Sequence, residues 1–382
     1  MRRSAQHFDL AVVGAGIIGL ATAFAAARRG LSVVVIDRDA QANGASIRNF
    51  GFTVVTGQQR GLMWARARRS REVWAQVAAA AGIAVLQSGL WVLARRPESA
   101  EVLERFLATD MAAGCRLLSA AEVRRRCPQL EAAALAAVLE SSTELRVESR
   151  TAIPQLAAWL ASALGVTFLR STSVCGIEPP RVLMTHGTLR AERIAVCPGD
   201  DFTSLYREHL AAYALTRCKL QMLRLADPGF RLPAALMSDL SLTRYPGYAQ
   251  LPAARDLERR LTSEQPAHQQ HGIHLIVVQS ADGSLVVGDS HDYAATPDPF
   301  AREAVDALIL EEFRAALGIA PPPTLERWTG TYASASDRPV LIDAPEPAVH
   351  LVIVTCGAGA SIGFALGEEV VASLFDKQGQ SP

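Results

Sequence analysis

Gly14, Gly16 and Gly19 stand in the run Gly14-Ala15-Gly16-Ile17-Ile18-Gly19, a spacing suited to holding the pyrophosphate of a dinucleotide. Gly14 permits a tight turn after a strand, Gly16 lets the backbone approach phosphate, and Gly19 lets the following helix pack close to the strand. Ile17 and Ile18 open that helix, whose unpaired N–H groups and positive dipole end face the phosphates. Asp37, followed by Arg38, ends the next apolar run about 20 residues further on, where an acid would bind ribose hydroxyls. Near the other end, Thr355-Cys356-Gly357-Ala358-Gly359-Ala360-Ser361-Ile362-Gly363 repeats the theme of strand, glycine turn and helix. One tempting group is set aside. His268, His271 and His274 recur every third residue, but Gly272 marks a change from loop to strand among them, so they share no helical face and no metal site is expected.

The elements that must position these residues follow from periodicity. Phe8 to Val13 reads as a buried strand, Ile17 to Arg29 as a helix stopped by Gly30, and Leu31 to Ile36 as a second, parallel strand, which together make one βαβ unit. A helix is expected from Arg60 to Ala81, with Arg66, Arg68, Arg69 and Arg71 on a solvated face. Another is expected over Ile153 to Leu164, with Pro154 in its first turn. Residues from Leu215 to about Asp292 alternate as strands, including a hairpin turned at Asp282-Gly283. Pro321-Pro322-Pro323 is expected to be a stiff connector.

The chain has 382 residues, 49% of them hydrophobic, and 38 basic against 38 acidic side chains. That length favours two lobes, and the charge balance argues against a nucleic-acid or membrane-surface partner. Its six cysteines form no Cys-x-x-Cys pair, which fits a reducing cytoplasm rather than a disulfide framework. Arg2 and Arg3 before an apolar run resemble the start of a secretory signal. His7 and Asp9 interrupt the run, so no signal is expected. No apolar stretch reaches the length of a spanning helix.

The N-terminal unit, the segment Gly44-Ala45-Ser46-Ile47-Arg48-Asn49-Phe50-Gly51 and the C-terminal glycine turn come in an order that resembles the FAD-dependent amine and amino-acid oxidases of the D-amino acid oxidase superfamily, glycine and sarcosine oxidase included. The resemblance spans nearly the whole chain. It implies an α/β fold with a Rossmann-type FAD-binding domain from residues 1–82, 150–205 and 325–382, and a mixed-sheet substrate domain from 83–149 and 206–324. FAD contacts would come from Gly14, Gly16, Ile17, Ile18, Gly19, Asp37, Arg38, Ser46, Arg48 and Asn49. Val174 and Gly199 would lie on the adenine side, and Gly357, Ala358, Gly359, Ala360 and Ser361 at the flavin. The helix starting near Ser361 would aim its dipole at the edge of the ring where negative charge collects on reduction. Sarcosine oxidases attach flavin through a cysteine at a position that falls near Gly330 here, so non-covalent FAD is expected.

The resemblance also implies a substrate site. Where glycine and D-amino acid oxidases carry an arginine that grips the substrate carboxylate, this chain has Tyr332, which turns the expectation away from ordinary α-amino acids. Arg244 and His291 are expected to hold a doubly charged anion such as phosphonate, with Tyr245, Tyr248, Tyr293 and Tyr332 shaping the pocket. Arg48, Asn49, Lys219 and Gln221 are further candidates near the ring. The expected reaction is oxidation of a small amine by hydride transfer to flavin N5, followed by hydrolysis of the imine to an aldehyde, with oxygen reduced to hydrogen peroxide. The motif forms look most like a subgroup thought to oxidise aminophosphonates. An amino-acid oxidase of glycine, sarcosine or D-amino acid type and a quinone-linked hydroxy-acid dehydrogenase stay open. So does a nicotinamide-dependent dehydrogenase, although the second glycine turn favours flavin.

Overall fold

A computed structural model of the protein describes residues 7–130 and 134–376; the Arg2–Arg3 signal question lies outside the described residues. The β-branched run Val33–Ile36 is buried on both faces, as a central parallel strand must be. It pairs in parallel with the strand His7–Val13, Leu10 opposite Val33 and Val13 opposite Ile36. On its other side His7–Val13 pairs with Gly187–Val196, and the first sheet runs 340–346, 349–354, 187–196, 7–13, 33–36, 167–169, with the hairpin 174–184 attached to 187–196. Alternation sorts its two faces. Leu10, Val12, Val33 and Val35 meet the helices Ile17–Arg28, Leu62–Ala81, Ser149–Leu164 and Gly359–Phe375. Ala11, Val34 and Ile36 face Val182, Leu189 and Leu341 on the opposite side.

The second sheet runs 292–294, 216–225, 285–288, 276–279, 235–238, 85–94, 137–147, 52–53, with 324–334 along the free side of 216–225 and 115–118 on 137–147. The helices Pro97–Leu107, Ala254–Glu264 and Glu303–Leu317 cover it and share its core. Thr324–Ser334 pairs with Thr216–Leu225 from Thr216–Ser334 to Leu225–Thr324. The expected division at residue 325 therefore falls within a strand of the second sheet, and Phe52–Thr53 belongs to that sheet as well.

Two local expectations are corrected. Arg66 is not solvated. It lies on the buried face of its helix with Ser70, Val73 and Val77, and forks onto Glu369 at 2.6–3.1 Å. The arginine neighbours keep more open positions, Arg69 pairing with Glu368 and Arg68 lying over the Trp64 ring. Pro154 is not in a first turn, because its helix begins at Ser149. Burial of Ser149, Ala152, Ile153 and Leu156 draws the helix back beyond the point where local pattern would start it. Among the described residues no helix is long and apolar enough to cross a membrane.

Candidate functional site

A cavity of about 670 Å³ is lined from both sheets. On the first-sheet side it is built by two helix N-termini brought together by glycine. A Cβ at Gly367 would lie 2.6 Å from the carbonyl of Ala21, and one at Gly363 would touch Ile17 at 3.4 Å, so helices Ile17–Arg28 and Gly359–Phe375 pack backbone to backbone. Neither has an acidic residue in its first turn or a side-chain cap, which leaves two positive dipole ends at one cavity. Gly14 adopts φ +103°, and a Cβ there would lie 2.4 Å from the Cys197 carbonyl oxygen. At Gly19 a Cβ would meet the Gly14 oxygen at 1.9 Å, so both positions require glycine. The Ile17 N–H donates to Ser46 Oγ at 2.9 Å, which ties the segment after Gly44 to the turn and leaves the Ser46 hydroxyl hydrogen free for an incoming oxygen. Asp37 accepts from the Ala15 and Asp39 N–H groups at 2.5 and 2.8 Å, and Arg38 pairs with Asp201 at 2.7 Å.

All the residues expected to contact FAD line this cavity: Gly14, Gly16, Ile17, Ile18, Gly19, Asp37, Arg38, Ser46, Arg48, Asn49, Val174, Gly199 and Gly357 to Ser361. Its glycine cradle and its helix ends suit a dinucleotide. Two of these side chains are committed elsewhere. Asn49 donates to the Ala45 oxygen and accepts from the Gly51 N–H, both at 2.7 Å, so it braces its own loop. Arg48 bonds Asn43 Oδ1 at 3.0 Å. Ser361 Oγ accepts from the Val54 N–H at 2.9 Å and stitches the second glycine turn to the second sheet.

On the second-sheet side, Arg244, Tyr245, His291 and Tyr332 line the same cavity, whereas Lys219, Gln221 and Tyr248 do not. Strand parity explains the first two. In the register, Cys218 stands between Tyr293 and Tyr332, so the two tyrosines flank it on the same, cavity-lining face, and Leu220 on that face lines it too. Lys219 and Gln221 point the other way. Lys219 Nζ donates to Asp298 at 2.8 Å, and Gln221 Nε2 donates to Asp306 at 2.7 Å. Tyr248 is fully buried, packed on Phe106 with ring centroids 4.6 Å apart and pressed against Gly57.

Arg244 donates to the Tyr293 hydroxyl at 2.9 Å and faces the cavity. Burial works against its charge, but Tyr293, Tyr332 and Asp289 hold the guanidinium protonated. His291 lines the cavity with Arg244, but its surroundings oppose a charge on the ring. Burial, reinforced by Arg244 and His274 against the pull of Asp289, depresses its imidazole to about 3. Its Nδ1 meets the Gly272 carbonyl at 2.9 Å, which fixes the proton on that nitrogen and leaves Nε2 without a hydrogen to give an anion. The reading by sequence also missed two cavity residues, Asp289 and His274. The triplet spacing His268, His271, His274 misdirects: His268 bonds the Leu308 oxygen, and only His274 reaches the cavity.

A family model described as FAD dependent oxidoreductase matches residues 9–373. No curated protein sequence matches the chain. Solved structures do match. A glycine oxidase from Geobacillus kaustophilus is similar at a TM-score of 0.76 and 18% identity, over 97% of this chain and 95% of that one. An L-proline dehydrogenase from P. horikoshii is similar at 0.77 and 18%, over 97% and 94%. An iminodiacetate oxidase from Chelativorans sp. BNC1 is similar at 0.73 and 18%, over 98% and 97%. At such identities the likeness is one of fold.

Proposed function

The chain belongs to the family of FAD dependent oxidoreductases, and on that premise we propose that it oxidises a small amine bearing a strongly anionic head group, an aminophosphonate first among them. The observation that carries this reading is Arg244, a charged guanidinium facing the cofactor cavity beside Tyr293, in a chain whose strand 324–334 turns Tyr332 to the cavity while its one arginine, Arg327, pairs with Asp306 outside it. FAD, when bound, supplies the two-electron acceptor, and the protein supplies position and field. Arg244 grips the head group through charge-assisted hydrogen bonds, and the Tyr293 hydroxyl holds its fork in place. Tyr245 and Tyr332 wall the amine on the flavin side, with Leu220 and Ile276 excluding water. An amine that enters neutral needs no base, since its lone pair drives loss of hydride from the adjacent carbon. The imine then hydrolyses in solvent. Oxygen is the proposed final acceptor, giving hydrogen peroxide.

A carboxylate-bearing amine is the second reading. Arg244 suits a carboxylate as well as a phosphonate, and a glycine oxidase and an iminodiacetate oxidase share the fold. The deciding measurement is anaerobic bleaching of the purified flavoprotein by aminomethyl- and aminoethylphosphonate, glycine, sarcosine and D-alanine. Bleaching by the phosphonates alone is expected. Bleaching by glycine or sarcosine with the phosphonates inert would replace the first reading by the second.

A further inference from the structure

The cavity wall nearest Arg244 contains a buried carboxylate without a cationic partner. Asp289 is 5% exposed, and no Lys or Arg among the described residues comes within the 4.0 Å of an ion pair. Arg244, on the same wall, spends a donor on Tyr293 instead. His274 Nε2 lies 3.0 Å from Asp289 Oδ1, yet Oδ1 has no aligned hydrogen-bond donor; His291 Nε2 lies 3.9 Å from Oδ2. Three ligand-type atoms, one from each of these buried residues, fall within 4.8 Å of one another. A buried carboxylate oxygen left without a hydrogen bond is costly, and a cation among these atoms would remove that cost.

The surroundings of the three residues are those of a prepared ligand set. A metal-binding histidine turns one nitrogen to the ion and gives the other N–H to an oxygen that fixes its tautomer. His291 does this with the Gly272 carbonyl, and His274 Nδ1 has Ser241 Oγ at 3.2 Å. The backbone clamps both sides: Asp289 N–H donates to the His274 oxygen at 3.0 Å, and His291 N–H to the His271 oxygen at 2.9 Å. These pairings extend the strands Ile276–Gln279 and Leu285–Gly288, so the ligands sit on rigid strand ends rather than a free loop. Ligand atoms around a four-coordinate ion with bonds of about 2.0–2.1 Å stand about 3.3 Å apart; here His274 Nε2 lies 3.0 Å from Asp289 Oδ1, His291 Nε2 lies 3.9 Å from Oδ2, and one atom from each residue falls within 4.8 Å of the others, so an ion would draw the set slightly inward.

We propose that His274, Asp289 and His291 bind one divalent transition-metal ion, with two imidazoles and a carboxylate selecting a borderline ion such as Zn²⁺ over Mg²⁺ or Ca²⁺. Three protein ligands leave a coordination position open toward the cavity. An ion there and Arg244 together present two positive centres to a dianionic head group. The site does not rest on the amine assignment.

The test uses the FAD-loaded protein, stripped with a chelator and titrated separately with Zn²⁺ and Co²⁺, while metal per flavin is counted by plasma mass spectrometry. One ion per chain is expected. Affinity should fall about 100-fold or more in Asp289→Asn and His291→Ala, and about 10-fold in Ser241→Ala. No saturable binding, or an affinity the same in all three variants, overturns the proposal. Because a ligand variant can misfold, wild-type crystals soaked in Co²⁺ give an independent readout. An anomalous peak about 2.0–2.2 Å from both Nε2 atoms and an Asp289 oxygen supports the site, and a peak elsewhere or none refutes it. Neither readout uses turnover, so failure here and failure of the proposed amine oxidation are separately visible.

Discussion

Replacing Arg244 by alanine isolates head-group recognition from cofactor binding. Its guanidinium donates to the Tyr293 hydroxyl at 2.9 Å and has further N–H groups for a cavity ligand. Hydrogen bonds between charged partners contribute about 1.5–3 kcal/mol each, so losing the grip on one oxyanion group should cost about 3 kcal/mol. That is roughly 150-fold in the dissociation constant of substrate. Arg244→Lys keeps the charge but not the planar fork and should recover about half of the loss in free energy. Tyr293→Phe removes only the support and should cost about 1 kcal/mol, roughly fivefold. The assay is an anaerobic titration of flavin bleaching, read for both the half-saturating substrate concentration and the limiting rate. FAD content and absorbance should stay at wild-type values in all three. A substrate affinity for Arg244→Ala within about threefold of wild type would mean that the head group binds elsewhere and that the assignment is wrong.

Other outcomes follow from the same geometry. Lys219→Met should lower thermal stability by a few degrees through loss of the half-buried ion pair between its ammonium and the exposed Asp298, and leave kcat unchanged; a large loss of kcat at full FAD occupancy would contradict the strand parity. Gly367→Ala should destabilise by about 1–3 kcal/mol and weaken FAD retention, because its Cβ would lie 2.6 Å from the Ala21 backbone and drive apart the two helix ends at the cavity. Measured by flavin fluorescence released on dilution, tight retention in that variant would show the helices do not set the site. Burial raises the Asp201 carboxyl, but hydrogen bonds from Ser204 and Thr203 outweigh it and hold it at about 2. With the folded value below the unfolded one, its stabilisation is present above about pH 4 and lost as pH falls toward 2, amounting to about 1 kcal/mol after allowance for solvent screening. Asp201→Asn should flatten that part of the denaturation midpoint against pH; an unchanged slope between pH 4 and 2 would refute it.

The glycine-lined half of the cavity was legible in sequence because its causes are local. Gly14 is needed for its own φ and its own contact with Cys197, and Asp37 follows from the end of the next strand. The turn at Gly357 to Ser361 announces itself in the same way. The pairing of the two helices was not legible. Gly363 and Gly367 look like ordinary helix glycines until Ile17 and Ala21 are seen against them.

The roof of the cavity was read with the right segments and partly the wrong side chains, for a reason that parity makes plain. Along Cys218-Lys219-Leu220-Gln221, chemistry suggests Lys219 and Gln221. A strand can turn only alternate residues to one face, and the face is chosen by pairing with Tyr293 and Tyr332 far along the chain. The same long-range logic hid His274 and Asp289. In sequence, His274 belongs to a run of histidines, and Asp289 to a segment from which His291 and Tyr293 alone attract notice. Backbone pairing between the two, with His291 held one step away by Gly272 and His271, is what joins them. Histidine spacing along the chain is thus a poor guide to ligand sets on sheet ends, where the neighbour that counts is opposite rather than three residues away. For this cavity it follows that substitutions opposite the glycine turns, at His274, Asp289 and His291, should alter what is bound beside the flavin while leaving FAD itself in place.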